Sequence, residues 1–118
     1  MHTLKRGTAL VKQFRLVGID LDKKGLLSIE FLFKARKAER APTLLYKKHP
    51  GDDVDFDDSL GVCSVRFSEE DTRALRANES VFMDTRILYD DGTIPESVIK
   101  EFAIAETLFP EEVTDSGR

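Results

Sequence analysis

The sequence has one cysteine, no tryptophan, two histidines and four prolines among 118 residues. A lone Cys63 excludes an internal disulfide and agrees with a reducing compartment. His2 and His49 stand at no metal-ligand spacing from Cys63 or from each other, which argues against a zinc site. Both read as solvated imidazoles, His2 in a flexible terminus and His49 in a loop beside Pro50. No apolar run approaches the roughly 20 residues of a spanning helix. The N-terminal MHTLKRGTALVKQF has no continuous apolar stretch of a secretory signal, so synthesis and residence in the cytosol are expected. The glycines are scattered, with no phosphate-cradling run.

What the chain does contain is an adequate supply of core material, 41% hydrophobic against 34% charged residues. That composition fits one domain with a single core, here assigned to residues 1–110, followed by a polar tail at 111–118. Charge is unevenly distributed. Residues 1–50 carry 12 Lys/Arg against 4 Asp/Glu, and residues 51–118 carry 6 against 18. The acidic half outweighs the basic one, which speaks against nucleic acid as partner. Two arrangements remain: strands of opposite charge paired across a sheet, or two oppositely charged faces that bring copies together head to tail.

Alternation of apolar and polar residues dominates the pattern. Leu10, Phe14 and Leu16 share one parity in residues 8–17, with Lys12 the exception. Residues 26–37 place Leu27, Ile29, Phe31, Phe33 and Ala35 opposite Ser28, Glu30, Lys34 and Arg36. TLLYKK at 43–48 is the expected hairpin partner of that segment. HPGDDVDFDDS reads as an exposed loop whose Val54 and Phe56 pack back on the sheet. Cys63, Val65 and Phe67 then alternate inward, which makes the thiol a small buried hydrophobe rather than a nucleophile.

The period changes at Ser68, a good N-cap followed by Glu69, Glu70 and Asp71, with Arg73 and Arg76 later, which predicts one short helix. Alternation resumes with Val81, Met83, Thr85 and Ile87 opposite Asp84 and Arg86. Tyr89-Asp90-Asp91-Gly92-Thr93 is the strongest turn signal, because Asp91-Gly92 can supply positive φ angles. Residues 94–108 are the expected returning strand, with Phe102 and Ile104 facing the core. About six strands and one helix predict an all-β, immunoglobulin-like antiparallel β-sandwich, with a partly open barrel as the rival.

Chemistry-bearing patterns are sparse. Asp52, Asp53, Asp55, Asp57 and Asp58 form the one cluster with hard-cation character, and Asp53, Asp55 and Asp57 have the alternation of a calcium loop. The EF-hand template fails, since the sixth position is Asp58 rather than Gly and the twelfth is Ser64 rather than Glu. Adjacent carboxylates such as Glu69-Glu70 and Asp90-Asp91 are explained by caps and turns. KARKAER at 34–40 lacks the interleaved aromatics that would stack nucleobases. No cofactor is implied, and no set of residues carries an enzymatic reading.

Three short motifs carry a resemblance: Arg6-Gly7-Thr8 before the first strand, Phe67-Ser68-x-Glu70-Asp71-Thr72 from strand into helix, and Tyr89-Asp90-Asp91-Gly92-Thr93 before the last strand. Together they resemble small β-sandwich proteins encoded in tailed phages and prophages, above all the N-terminal domain of phage baseplate upper proteins. The resemblance implies a non-enzymatic virion part, made in the host cytoplasm and working in tail or baseplate assembly. It matches Gly7, Ser68, Asp71 and Gly92 as scaffold residues. The acidic loop at 51–58 is longer and more charged than the resemblance implies, and no fibre or receptor-binding segment is expected after the sandwich.

The resulting expectation is a structural module that binds copies of itself or other virion structural proteins, with neither nucleic acid nor membrane as partner. Its interface candidates are Lys23, Lys24, Lys34, Arg36 and Lys37 on one copy, meeting Asp52, Asp53, Asp55, Asp57 and Asp58 on the next in a homo-oligomer. The alternative is a stand-alone β-sandwich module binding carbohydrate or protein, assisted by calcium in the aspartate loop, although Trp is absent and Tyr46 and Tyr89 are isolated.

Overall fold

Each period-two stretch becomes a strand, and one strand more forms at each place where the pattern is short or masked by charge. The structure, a computed structural model, describes residues 2–75 and 79–108. Arg76 and the polar tail at 111–118 lie outside these residues. The strands are β1 His2–Lys5, β2 Leu10–Arg15, β3 Leu26–Lys34, β4 Thr43–His49, β5 Val54–Asp57, β6 Val62–Phe67, β7 Ser80–Tyr89 and β8 Lys100–Ala105, with helix α1 Glu69–Arg73 between β6 and β7.

These form a five-stranded sheet in the order β1-β8-β7-β3-β4 and a three-stranded sheet in the order β2-β6-β5. All pairings are antiparallel except β1 with β8, which is parallel and runs from His2↔Phe102 to Lys5↔Ala105. The large sheet is therefore mixed, not antiparallel throughout. The expected flexible N-terminus is instead an edge strand, with Leu4 only 1% exposed.

The inner faces of the two sheets bury one core. Phe14 of the small sheet packs 5.6 Å from Phe31 and 5.9 Å from Phe102 between ring centroids, and Phe67 packs 5.7 Å from Phe33. Ring pairs at these separations add to what burial alone contributes. Cys63, Val65, Val81, Met83, Ile87 and Ile104 fill the space between them.

Three details correct the expected pattern. A register shift between Leu26 and Ser28 turns Leu27 outward, half exposed, and brings Ser28 into a buried position. The acidic loop contains a strand, since Val54–Asp57 pairs with β6 and sends Val54 and Phe56 inward. The turn at Tyr89–Thr93 forms, with Gly92 at φ 84° and the Tyr89 N–H donating to the Thr93 carbonyl. Its returning strand is delayed to Lys100, however, and β8 meets β7 only at Ser80–Met83, the far end of that strand.

The helix start matches its sequence signal in full. Ser68 Oγ accepts the Asp71 N–H at 3.0 Å, and Asp71 Oδ2 accepts the Ser68 N–H at 2.8 Å, a reciprocal capping box. Thr72, fully buried, bonds both the N–H and the carbonyl of Thr8, tying the helix to the start of β2. Gly7 holds φ 75° in the turn between β1 and β2, and a Cβ there would meet the Arg73 guanidinium at 2.9 Å. Gly7, Ser68, Asp71 and Gly92 thus all occupy turns or caps.

Candidate functional site

The outer face of the five-stranded sheet is walled rather than flat. Pairing sets Glu30 beside Arg86 and Lys48, Leu32 beside Asp84 and Tyr46, and Lys34 beside Phe82. Leu32 and Phe82 thus occupy outward positions where alternation calls for polar residues. The β3–β4 connection rises along one side with Arg36, Lys37 and Glu39, and Ile99 of the β7–β8 connection stands on the other. They enclose a trough of about 320 Å³.

Local bonds shape this wall. The Lys34 ammonium donates to the Glu39 carbonyl, and the Ala38 and Ala41 N–H groups donate to the carbonyls of Arg36 and Ala38. The turn so formed lays the Lys37 ammonium 5.5 Å from the centre of the Phe82 ring, a cation–π contact. The trough adjoins, across Leu32 and Asp84, a smaller depression of about 200 Å³ beside Tyr46 and Arg86. There Arg86 Nε donates to Glu30 at 2.7 Å, and the Tyr46 hydroxyl donates to the other Glu30 oxygen. The bond from Arg86 holds the Glu30 carboxyl below its ordinary pKa against the opposing effect of burial, and that from Tyr46 adds to it. The same carboxylate raises the Tyr46 phenol.

The five basic interface candidates separate into two groups. Lys23 and Lys24 precede β3 and Lys34, Arg36 and Lys37 end or follow it, so about 30 Å of strand lies between them. Lys23 is committed within the chain, 2.8 Å from Asp91 and 4.5 Å from the centre of the Tyr89 ring. Its ammonium, with bonds from Thr93, holds the Asp91 carboxyl far below its ordinary value. Lys24 shares a second cleft with Asp58, His49 and Phe56, so basic and acidic candidates meet there on one molecule.

The aspartates disperse as well. Asp53 reaches inward to Lys47, Asp55 pairs with Arg66 at 3.0 Å, and Asp57 accepts bonds from the Ser59 N–H, the Ser59 hydroxyl and the Leu60 N–H, which hold its pKa low. Among the described residues Asp52 and Asp58 make no ion pair, and no group of three or more His, Cys, Asp or Glu is placed to hold a metal ion. On the strand Asp55 and Asp57 share the outward face but stand two residues apart along an extended backbone, about 6.6 Å, instead of converging on one point.

No family model matches this chain, and no curated protein matches it. Among the described residues no helix is long and apolar enough to cross a membrane. Cys63 is fully buried, and burial pushes its thiol up to about 12, which leaves it a poor nucleophile at neutral pH. His49 ends β4 rather than sitting in a loop, with its ring 5.8 Å from Phe56 and Nδ1 3.3 Å from the Val54 carbonyl.

Lys47, which carried no signal in the motifs above, is the buried charge among the described residues. It is 6% exposed and lies 2.8 Å from Asp53 and 2.6 Å from Asp71, joining β4, the approach to β5 and the helix cap. Burial opposes its charge, yet the two carboxylates outweigh that cost and raise its pKa. Asp71 shows the mirror image: burial raises it, the bonds from Lys47 and Ser68 prevail, and its pKa is lowered. The signal was its parity, since Lys47 pairs with buried Phe31 on the inner face of the sheet, where a lysine needs a carboxylate partner.

Proposed function

We propose that this protein is a non-enzymatic assembly module of phage or prophage origin, a tail or baseplate part built on an immunoglobulin-like β-sandwich. It works by packing against copies of itself or other virion structural proteins. The observation that carries this reading is that cations and aspartates without an ion pair among the described residues stand beside different sheets. Arg36 and Lys37 rim the trough on the large sheet, while Asp52 and Asp58 flank the edge strand of the small one. A surface on one sheet that complements a different surface on the other makes a heterologous contact, which closes into a ring or extends as a filament. Charge complementarity of this kind chiefly sets orientation and association rate.

The test is absolute molar mass by light scattering at low and high salt, over a range of protein concentrations. The expected result is a defined oligomer at low salt that dissociates as salt screens the contact. Asp52→Lys combined with Asp58→Lys should give the monomer at every salt concentration, because neither aspartate holds an ion pair among the described residues of its own chain. A wild-type monomer under all conditions would remove self-assembly.

A further inference from the structure

We infer that the trough on the outer face of the large sheet is a docking groove for an extended segment of another protein, one in which acidic side chains alternate with apolar ones. The inference rests on the assembly reading above and names the chemistry of the partner. Outer faces of half-buried sheets carry polar side chains, yet Leu32 and Phe82 are diagonal neighbours at outward positions, and the Lys37 ammonium over the Phe82 ring leaves them half-buried with room for a further cover. Two walls stand over them, and the space of about 320 Å³ that they bound suits a few side chains of an extended strand.

Charge selects the occupant. Arg36 and Lys37 crown one wall, exposed and without a carboxylate partner among the described residues. Acidic side chains of the occupant meet them, while apolar ones descend onto Phe82, Leu32 and Ile99. The chain's own acidic strand cannot supply that pattern, since Val54 is 1% exposed and Phe56 packs on the core. A second copy offering β5 therefore provides charge alone, and the segment that fills the floor comes from a different protein. A continuous polyanion fits poorly, because Glu39 and Asp84 line the same trough and would face every phosphate not matched to a cation.

The probe is a fluorescein-labelled decapeptide alternating glutamate with leucine, followed by fluorescence anisotropy on the full chain at a concentration where light scattering reports the monomer. Saturable binding is expected. It should weaken about tenfold when Arg36→Glu and Lys37→Glu are combined, and by a similar factor for Phe82→Ala or for an all-glutamate decapeptide. Lys24→Glu, at the opposite end of β3, should leave it unchanged. Circular dichroism melts verify that each variant folds, and the two charge reversals lie on an exposed turn outside the core. The inference is overturned if the peptide does not bind. It is also overturned if the all-glutamate peptide, a decathymidylate or vesicles of phosphatidylserine bind equally well, or if Lys24→Glu weakens binding as much as the rim variant. A monomer that binds the peptide would retire self-assembly and keep the groove; a salt-sensitive oligomer whose monomer ignores the peptide would do the reverse.

Discussion

Two ion-pair clusters flank the β3–β4 pair, one on each face, and they differ in what water can reach. On the inner face Lys47, 6% exposed, holds Asp53 and Asp71. On the outer face Arg86, 61% exposed, holds Glu30 with Tyr46 beside it. Contact distances are nearly the same, so geometry alone would rank the two together. Solvent separates the two cations, Lys47 buried and Arg86 hydrated. The carboxylates run the other way, Asp53 at 55% and Glu30 at 15% exposed, so it is loss of the inner cation's partners that strands a charge out of reach of water. The inner cluster is thus a joint between the two sheets and the helix, and the outer one shapes a surface.

The largest effect should come from Lys47→Ala. It leaves Asp71 with the capping bonds of Ser68 and without its cation, and we expect a loss of about 2–4 kcal/mol in urea unfolding, below the top of the range for buried pairs because Asp53 remains partly hydrated. Combining Lys47→Met with Asp71→Asn removes both charges and should restore part of that loss. A change under about 1 kcal/mol for Lys47→Ala would place the inner cluster with ordinary surface pairs.

Next in size is the pH dependence. Asp71 and Glu30 have native pKa values below their ordinary 3.8 and 4.5. The stability they contribute is therefore present above those ordinary values and lost as pH falls through the depressed native ones. Lys47 is raised above 10.5, so its contribution is full below that value and disappears as pH climbs through the native one. Thermal melting should show a plateau at neutral pH with an acid fall, and the acid limb should flatten in Lys47→Ala. An unchanged acid limb in that variant would show that Asp71 owes its low pKa to the helix cap alone.

The contrast between the faces also explains what could be read from sequence. The inner face is legible because Phe14, Phe31, Phe33, Cys63, Val65, Met83 and Ile87 recur at every second position, and burial enforces that period. The cap is equally legible, since Ser68 and Asp71 act within one turn. β1 is not: among its described side chains, Thr3 to Lys5, Leu4 alone joins the core, and its parallel partner lies near residue 103. β5 was hidden because an edge strand can carry aspartates at its outward positions, which are also a defence against edge pairing. The trough was hidden for a different reason. Leu32 and Phe82 sit on two strands 50 positions apart, and their adjacency follows from register, which no single segment encodes.

The smallest effect belongs to the outer cluster and reads out locally. Arg86→Ala should cost about 1 kcal/mol, less than Lys47→Ala, because the guanidinium is mostly hydrated already and Glu30, 15% exposed, keeps the Tyr46 hydroxyl as donor. Glu30→Gln should do more to Tyr46 than to the fold: with the acceptor carboxylate gone, the phenol should titrate closer to its ordinary 10.0 than in the parent protein. Phenolate absorbance followed through an alkaline titration measures this, and the difference between variant and parent isolates Tyr46. A titration unchanged by Glu30→Gln would mean that the Tyr46–Glu30 bond is absent in solution. The depression that adjoins the trough past Leu32 and Asp84 would then lose the side that Tyr46 gives it, while the trough itself, which Tyr46 does not line, would keep its walls.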